Sequence, residues 1–71
     1  MHYVLDIVVP VYNEEHDLPA CVHRLHEYLS TQVPYRARIV IADNASTDDT
    51  LAVARLLAAE LPDVDVLHLD A

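Results

Sequence analysis

The chain reads as an α/β domain of three-layer type: a parallel sheet with strands in the order 3-2-1, built as β-α-β-α-β. Three observations predict it. Three apolar runs rich in β-branched residues, Tyr3 to Val11, Ala37 to Asp43 and Val64 to Leu69, alternate with two segments whose apolar residues recur at helical spacing. The first run is nearly continuous in apolar character, as in strands covered on both faces. The intervening segments are long enough for parallel crossovers, and right-handed crossovers set consecutive strands side by side.

Each element follows from its own residues. Pro10 has no backbone N–H and belongs where ladder pairing ends. A helix is expected from about Glu14 to Ser30, with Leu18, Val22, Leu25 and Leu29 as its apolar stripe, widened by Cys21 and Tyr28. Asn13 is suited to cap it, Glu14, Glu15 and Asp17 favour its first turn, and Pro19 is tolerable near that turn. Thr31 to Tyr35 reads as a loop around Pro34. Ile39, Val40 and Ile41 centre the second strand. Ser46 or Thr47, with Asp49 or Thr50 three residues on, caps a second helix whose apolar face is Leu51, Ala54, Leu57, Ala58 and Leu61. Pro62-Asp63 ends it.

Bulk properties narrow the function. With 71 residues the chain holds at most one small domain, and a chain of this size buries only about 60% of its unfolded surface. At 54% hydrophobic and 23% charged it is too apolar to be disordered. The net charge of -8 speaks against a basic nucleic-acid surface. A phosphorylated ligand remains compatible if a divalent cation intervenes. One cysteine, Cys21, excludes an internal disulfide and reads as a small core residue in a reducing, cytoplasmic setting. No run is long enough to span a membrane. The absence of glycine argues against a Rossmann or P-loop phosphate cradle. The five histidines do not combine with carboxylates or Cys21 at metal-ligand spacing.

The chemistry gathers in two stretches, Val8-Val9-Pro10-Val11-Tyr12-Asn13-Glu14-Glu15 and Ile41-Ala42-Asp43-Asn44-Ala45-Ser46-Thr47-Asp48-Asp49. Both are apolar strand, polar turn, helix start. In an open α/β sheet, ligands bind beyond the carboxyl ends of the strands. Tyr12 offers a ring for stacking on a base. An ionised Asp43 only accepts hydrogen bonds, which suits uracil N3–H or guanine N1–H and repels the N3 acceptor of cytosine. The first N–H groups of the second helix face the same crevice and are candidates for a diphosphate, although Asp48 and Asp49 oppose a bare anion. The summed charge of Glu14, Asp43, Asp48 and Asp49 calls for a divalent cation if a diphosphate binds.

Val9-Pro10-Val11-Tyr12-Asn13-Glu14-Glu15 followed by Asp43-Asn44-Ala45-Ser46-Thr47-Asp48-Asp49-Thr50 resembles the start of a family-2 glycosyltransferase. That resemblance implies a GT-A, Rossmann-like nucleotide-sugar-binding domain of which residues 1–71 are the amino-terminal half. The family's second motif is Asp-Asp-Gly-Ser-x-Asp-x-Thr. Here Asn44 replaces the second Asp and Ala45 replaces the Gly, so any positive φ there must be met without glycine. By resemblance Pro10, Tyr12 and Glu14 line the nucleotide pocket and Asp43 meets the base, with Asn44, Ser46 and Asp48 beside them. The expected activity of the longer chain is inverting transfer of a hexose from a UDP- or GDP-sugar to a lipid phosphate or glycan acceptor. The wording of the motifs and the ending Val66-Leu67-His68-Leu69-Asp70 are most similar to polyprenyl- or dolichyl-phosphate sugar synthases.

The same resemblance places the catalytic base, the acceptor site and the main ligands of Mg2+ or Mn2+ beyond residue 71. No catalytic and no metal-binding residue is therefore expected within the chain, which alone should be inactive. Membrane contact would come only through downstream segments, at the cytoplasmic face. Two other readings stand beside this one. A sugar nucleotidyltransferase would carry a Gly-rich, Lys/Arg-bearing loop after strand 1, and none is present. A non-catalytic module would fold or self-associate without turnover, and the apolar edge of strand 1 is a template for such pairing.

Overall fold

The computed structural model describes residues 3–70. Strand β1 (Leu5–Val11) is followed by helix α1 (Leu18–Gln32), strand β2 (Ala37–Asn44), helix α2 (Thr50–Glu60) and strand β3 (Val64–Leu69). All pairing is parallel, with β2 at the centre, so the order is the expected 3-2-1. Pairing runs one residue past Pro10, to Val11 opposite Asp43; an edge strand tolerates the missing N–H.

Both helices cover one face of the sheet. Leu18 and Val22 of α1 and Ala54 and Leu57 of α2 join Val11, Ile39, Ile41 and Val64 in one buried cluster. The other face has no helix among the described residues. Alternation along the strands puts Val8 and Pro10, Val40, Ala42 and Asn44, and Leu67 and Leu69 there. Val8, Leu67 and Leu69 are 60%, 50% and 44% exposed. The continuous apolar runs are thus half covered.

At the amino end of the strands a cluster of charges binds the elements together. Arg38 donates to both oxygens of Asp6, at 3.2 and 2.9 Å, and to Asp65 at 3.2 Å. Tyr3 and Arg36 both donate to Asp63 Oδ1, at 2.6 and 3.1 Å. The Arg36 and Arg38 guanidinium carbons lie 4.7 and 5.3 Å from the Tyr3 ring centre. The Tyr3 hydroxyl, then Arg36, holds the Asp63 carboxyl below the usual carboxylate range.

Several boundaries differ from expectation, each for a local reason. β1 begins at Leu5, because Tyr3 belongs to the charge cluster. α1 begins at Leu18, not Glu14: Asn13 has φ 51°, which ends the strand in a left-handed residue and does not cap a helix. Pro19 falls in the first turn, where its missing N–H has no helical acceptor. Cys21 and Tyr28 are exposed rather than part of the stripe, because only the row Leu18, Val22, Leu25 and Leu29 meets the core. α2 begins at Thr50, and neither Ser46 nor Thr47 caps it.

Candidate functional site

The turn after β1 and the turn after β2 stand side by side, because Val11 and Asp43 are in register. They are laced together by hydrogen bonds. Asn13 Oδ1 accepts from the Thr47 N–H at 2.8 Å, and from the Asp48 N–H and the Thr47 hydroxyl at 3.3 Å each. The Asn13 N–H donates to Ser46 Oγ at 3.0 Å. One residue on, the Glu14 N–H donates to Thr50 Oγ1 at 2.7 Å. The buried Thr50 hydroxyl in turn donates to Asp48 Oδ1, which also takes the Thr50 N–H at 2.9 Å. The Thr50 hydroxyl is the main cause that keeps the Asp48 carboxyl below its ordinary range.

Ala45 has φ 52°, so this turn adopts the left-handed region on a residue with a Cβ, and its N–H donates to the Leu69 carbonyl at 2.8 Å. That bond anchors the second turn to the end of β3.

The pleat divides the residues expected at the site. Asp43 points to the helix side and is 0% exposed. His68, its register partner on β3, holds Asp43 Oδ2 through Nδ1 at 3.0 Å and Asp70 through Nε2 at 2.8 Å. Asp43 Oδ1 is buried with no partner among the described residues. A ligand reaches this carboxylate only if its surroundings open. Asn44, one residue on, is exposed on the uncovered face. Pro10 is exposed on the same face, and the neighbouring Tyr12 is 56% exposed. Glu14 is exposed in the first turn and Ser46 half-buried in the second.

The structure therefore brings Pro10, Tyr12 and Asn44 to one open end of the sheet, with Ser46 and Glu14 in the turns beside them. It sets Asp43 beneath that end and ties Asp48 to Thr50. Of the N–H groups at the start of the second helix that were expected to face a diphosphate, that of Thr50 is taken by Asp48, and those of Thr47 and Asp48, just ahead of the helix, are taken by Asn13. The four basic residues are Arg24 and Arg55 on the helices and Arg36 and Arg38 at the opposite end of the sheet.

The carboxylates present do not fit a divalent cation by themselves. Asp43 is enclosed and bonded to His68, Asp48 is engaged with Thr50, and among the described residues no three His, Cys, Asp or Glu side chains converge on one point. Reading the sequence alone misses Asn13 as a clamp, Thr50 as a buried relay and His68 as the partner of Asp43. The even spacing of the strands could have paired Asp43 with His68, but only once the register was known.

Comparisons with known proteins point to one family. The model of the family described as Glycosyl transferase family 2 matches residues 6–71. The succinoglycan biosynthesis protein ExoA of Rhizobium meliloti is 45% identical over 64 residues, 90% of this chain and 18% of that protein. The 4,4'-diaponeurosporenoate glycosyltransferase of Staphylococcus aureus is 36% identical over 63 residues, 89% of this chain and 16% of that protein. The uncharacterized glycosyltransferase YibD of Escherichia coli is 33% identical over 64 residues, covering 90% and 17%. The chain thus spans less than a fifth of the length of these relatives. No solved structure matches it.

Proposed function

The chain belongs to glycosyl transferase family 2, and from that premise we propose that it supplies the nucleoside-binding part of an enzyme that transfers a hexose from a UDP- or GDP-sugar. The observation that carries the reading is the exposure of Pro10, Tyr12 and Asn44 together at the carboxyl end of the sheet, above two turns already locked in place. Tyr12 stacks on the base, and the Asn44 amide pairs with its edge. Ser46, whose Oγ accepts from Asn13, keeps its own hydroxyl hydrogen for the ribose or a phosphate.

An amide and a carboxylate select differently. Asp43 would repel cytosine, whereas Asn44 offers both an acceptor and a donor and pairs with uracil, guanine or cytosine alike. Discrimination among bases then falls to the rest of the pocket. A second reading keeps Asp43 as the base partner: its unpartnered Oδ1 is an acceptor awaiting a donor, and reaching it requires the surroundings of Asp43 to open.

These residues bring the phosphates the Ser46 hydroxyl but no positive charge. Three of the N–H groups near them, those of Thr47, Asp48 and Thr50, are occupied, and the local charges are negative. Mg2+ or Mn2+, with ligands beyond residue 71, supplies the missing positive charge. The catalytic base and the acceptor site, for a lipid phosphate such as polyprenyl phosphate or for a glycan, belong to the same later segments. The reaction takes place in the cytoplasm or at the cytoplasmic face of a membrane, and the 71-residue chain alone transfers no sugar. The test is calorimetry on the complete gene product with UDP, GDP and CDP, for the natural protein, Tyr12→Ala and Asn44→Ala. A clear loss in both variants supports the reading; unchanged affinity in both removes it.

A further inference from the structure

We infer that Asn13 is the positioning residue of the nucleoside site, holding the two turns in one rigid unit and so fixing Tyr12 against Asn44. The inference rests on the nucleoside reading above.

One atom does most of the joining. Three of the five hydrogen bonds that cross from the first turn to the second turn and the start of α2 end on Asn13 Oδ1. The other two come from backbone N–H groups, those of Asn13 and Glu14. Among the described residues no other side chain of the first turn hydrogen-bonds to the second. The partners are 34 and 35 residues away in sequence, so nothing in local chain geometry would hold them in place.

The position also demands a particular residue. With φ 51° it lies in the left-handed region, where Asn and Asp are tolerated and most other side chains strain the backbone. Asn meets two demands at once: the backbone conformation that turns the chain, and a carbonyl aimed at the neighbouring turn. Tyr12 directly precedes the clamp on one side, and Asn44 lies two residues before Ser46 on the other. A base stacked on Tyr12 and paired with Asn44 therefore senses the spacing that Asn13 sets.

Substitutions separate the two demands. Asn13→Gly keeps the left-handed conformation and removes the acceptor. Asn13→Asp keeps both. Thr47→Val removes one of the three donors to Asn13 Oδ1 from the opposite turn without touching the φ of Asn13. The experiment is titration of the complete gene product with UDP and with GDP, each variant being made alone and combined with Tyr12→Ala, Asn44→Ala and both. Thermal midpoints report whether each protein is folded.

Loss of the clamp should weaken nucleotide binding about tenfold, the order expected when a few neutral hydrogen bonds that preorganise a site are removed. Asn13→Asp should recover most of it. In the natural protein the effects of Tyr12→Ala and Asn44→Ala should be non-additive, and in Asn13→Gly they should become additive, a change that lowered stability alone does not produce. Thr47→Val should show a smaller uncoupling in the same direction, and it decides the matter if Asn13→Gly does not fold. Unchanged affinity and unchanged coupling in Asn13→Gly would overturn the inference, as would an Asn13→Asp protein as impaired as Asn13→Gly. If Tyr12→Ala and Asn44→Ala are silent in the natural protein, it is the nucleoside reading that fails, and the inference falls with it.

Discussion

The two faces of the sheet are made by the same three strands and meet opposite fates. On the helix side Ile39, Ile41 and Val64 are buried beneath α1 and α2. On the other side Val8, Leu67 and Leu69 are exposed. Asp43 and Asn44 show what one step along a strand decides. The first turns inward, is enclosed and pairs with His68; the second turns outward, beside Pro10 and close to Tyr12. In sequence they form a single acidic-amide motif. In space one supports the fold and the other is free to meet a ligand.

The largest expected contrast is in stability. Ile41→Ala should cost about 3 kcal/mol, within the range for a buried large-to-small change, whereas Leu67→Ala should cost less than about 0.5 kcal/mol, as for a surface site. Denaturant unfolding compares them. If Leu67→Ala costs as much as Ile41→Ala in the complete gene product, other segments cover the open face there. In the isolated chain that face and the β1 edge should promote self-association, and Leu67→Lys should shift sedimentation toward the monomer.

The next contrast lies inside the helix-side face. His68→Leu should cost about 2 kcal/mol, because it leaves the buried Asp43 carboxylate with no partner. Adding Asp43→Asn to that variant should recover part of the loss, since a neutral amide is cheaper to bury than an unpaired charge. An unchanged unfolding midpoint in His68→Leu would show that the His68 contact contributes nothing to holding β3 against β2.

Binding should divide the neighbours in the opposite sense. Asn44→Ala should weaken nucleotide affinity about tenfold, near 1.4 kcal/mol, the net worth of a hydrogen bond or so. Asp43→Asn should change it by less than about twofold. The reverse pattern by calorimetry would assign the base to Asp43 and require its enclosure to open.

The smallest effect concerns pH and the amino end of the sheet. Asp63 is held below the ordinary carboxylate value of 3.8 by the Tyr3 hydroxyl and Arg36. A carboxylate with a depressed folded pKa stabilises the fold at pH above that ordinary value, and the contribution is lost as pH falls through the depressed one. Asp63→Asn keeps a residue compatible with the φ of 61° while removing the charge. Its thermal midpoint should lie below that of the natural protein at neutral pH and approach it as the pH drops below 3.8. Parallel curves across that range would deny Asp63 this role.

The order of elements, the parallel sheet and the two turns at the carboxyl ends were legible in the residues, because hydrophobic period and strand-turn-helix chemistry are local properties. Leu18, Val22, Leu25 and Leu29 could be placed on a helix and Ile39 to Ile41 on a strand without knowing what either touches. Register and face are not local. Which of Asp43 and Asn44 turns inward depends on where β2 lies against β1 and β3. The place of Asn13 as a clamp, not a cap, depends on a turn more than thirty residues away. The sequence by itself determined that a polar site stands at the end of an α/β sheet; tertiary structure alone decided which of its side chains are occupied in holding that end together and which are left for a ligand, because a buried polar group must find its partner across the fold.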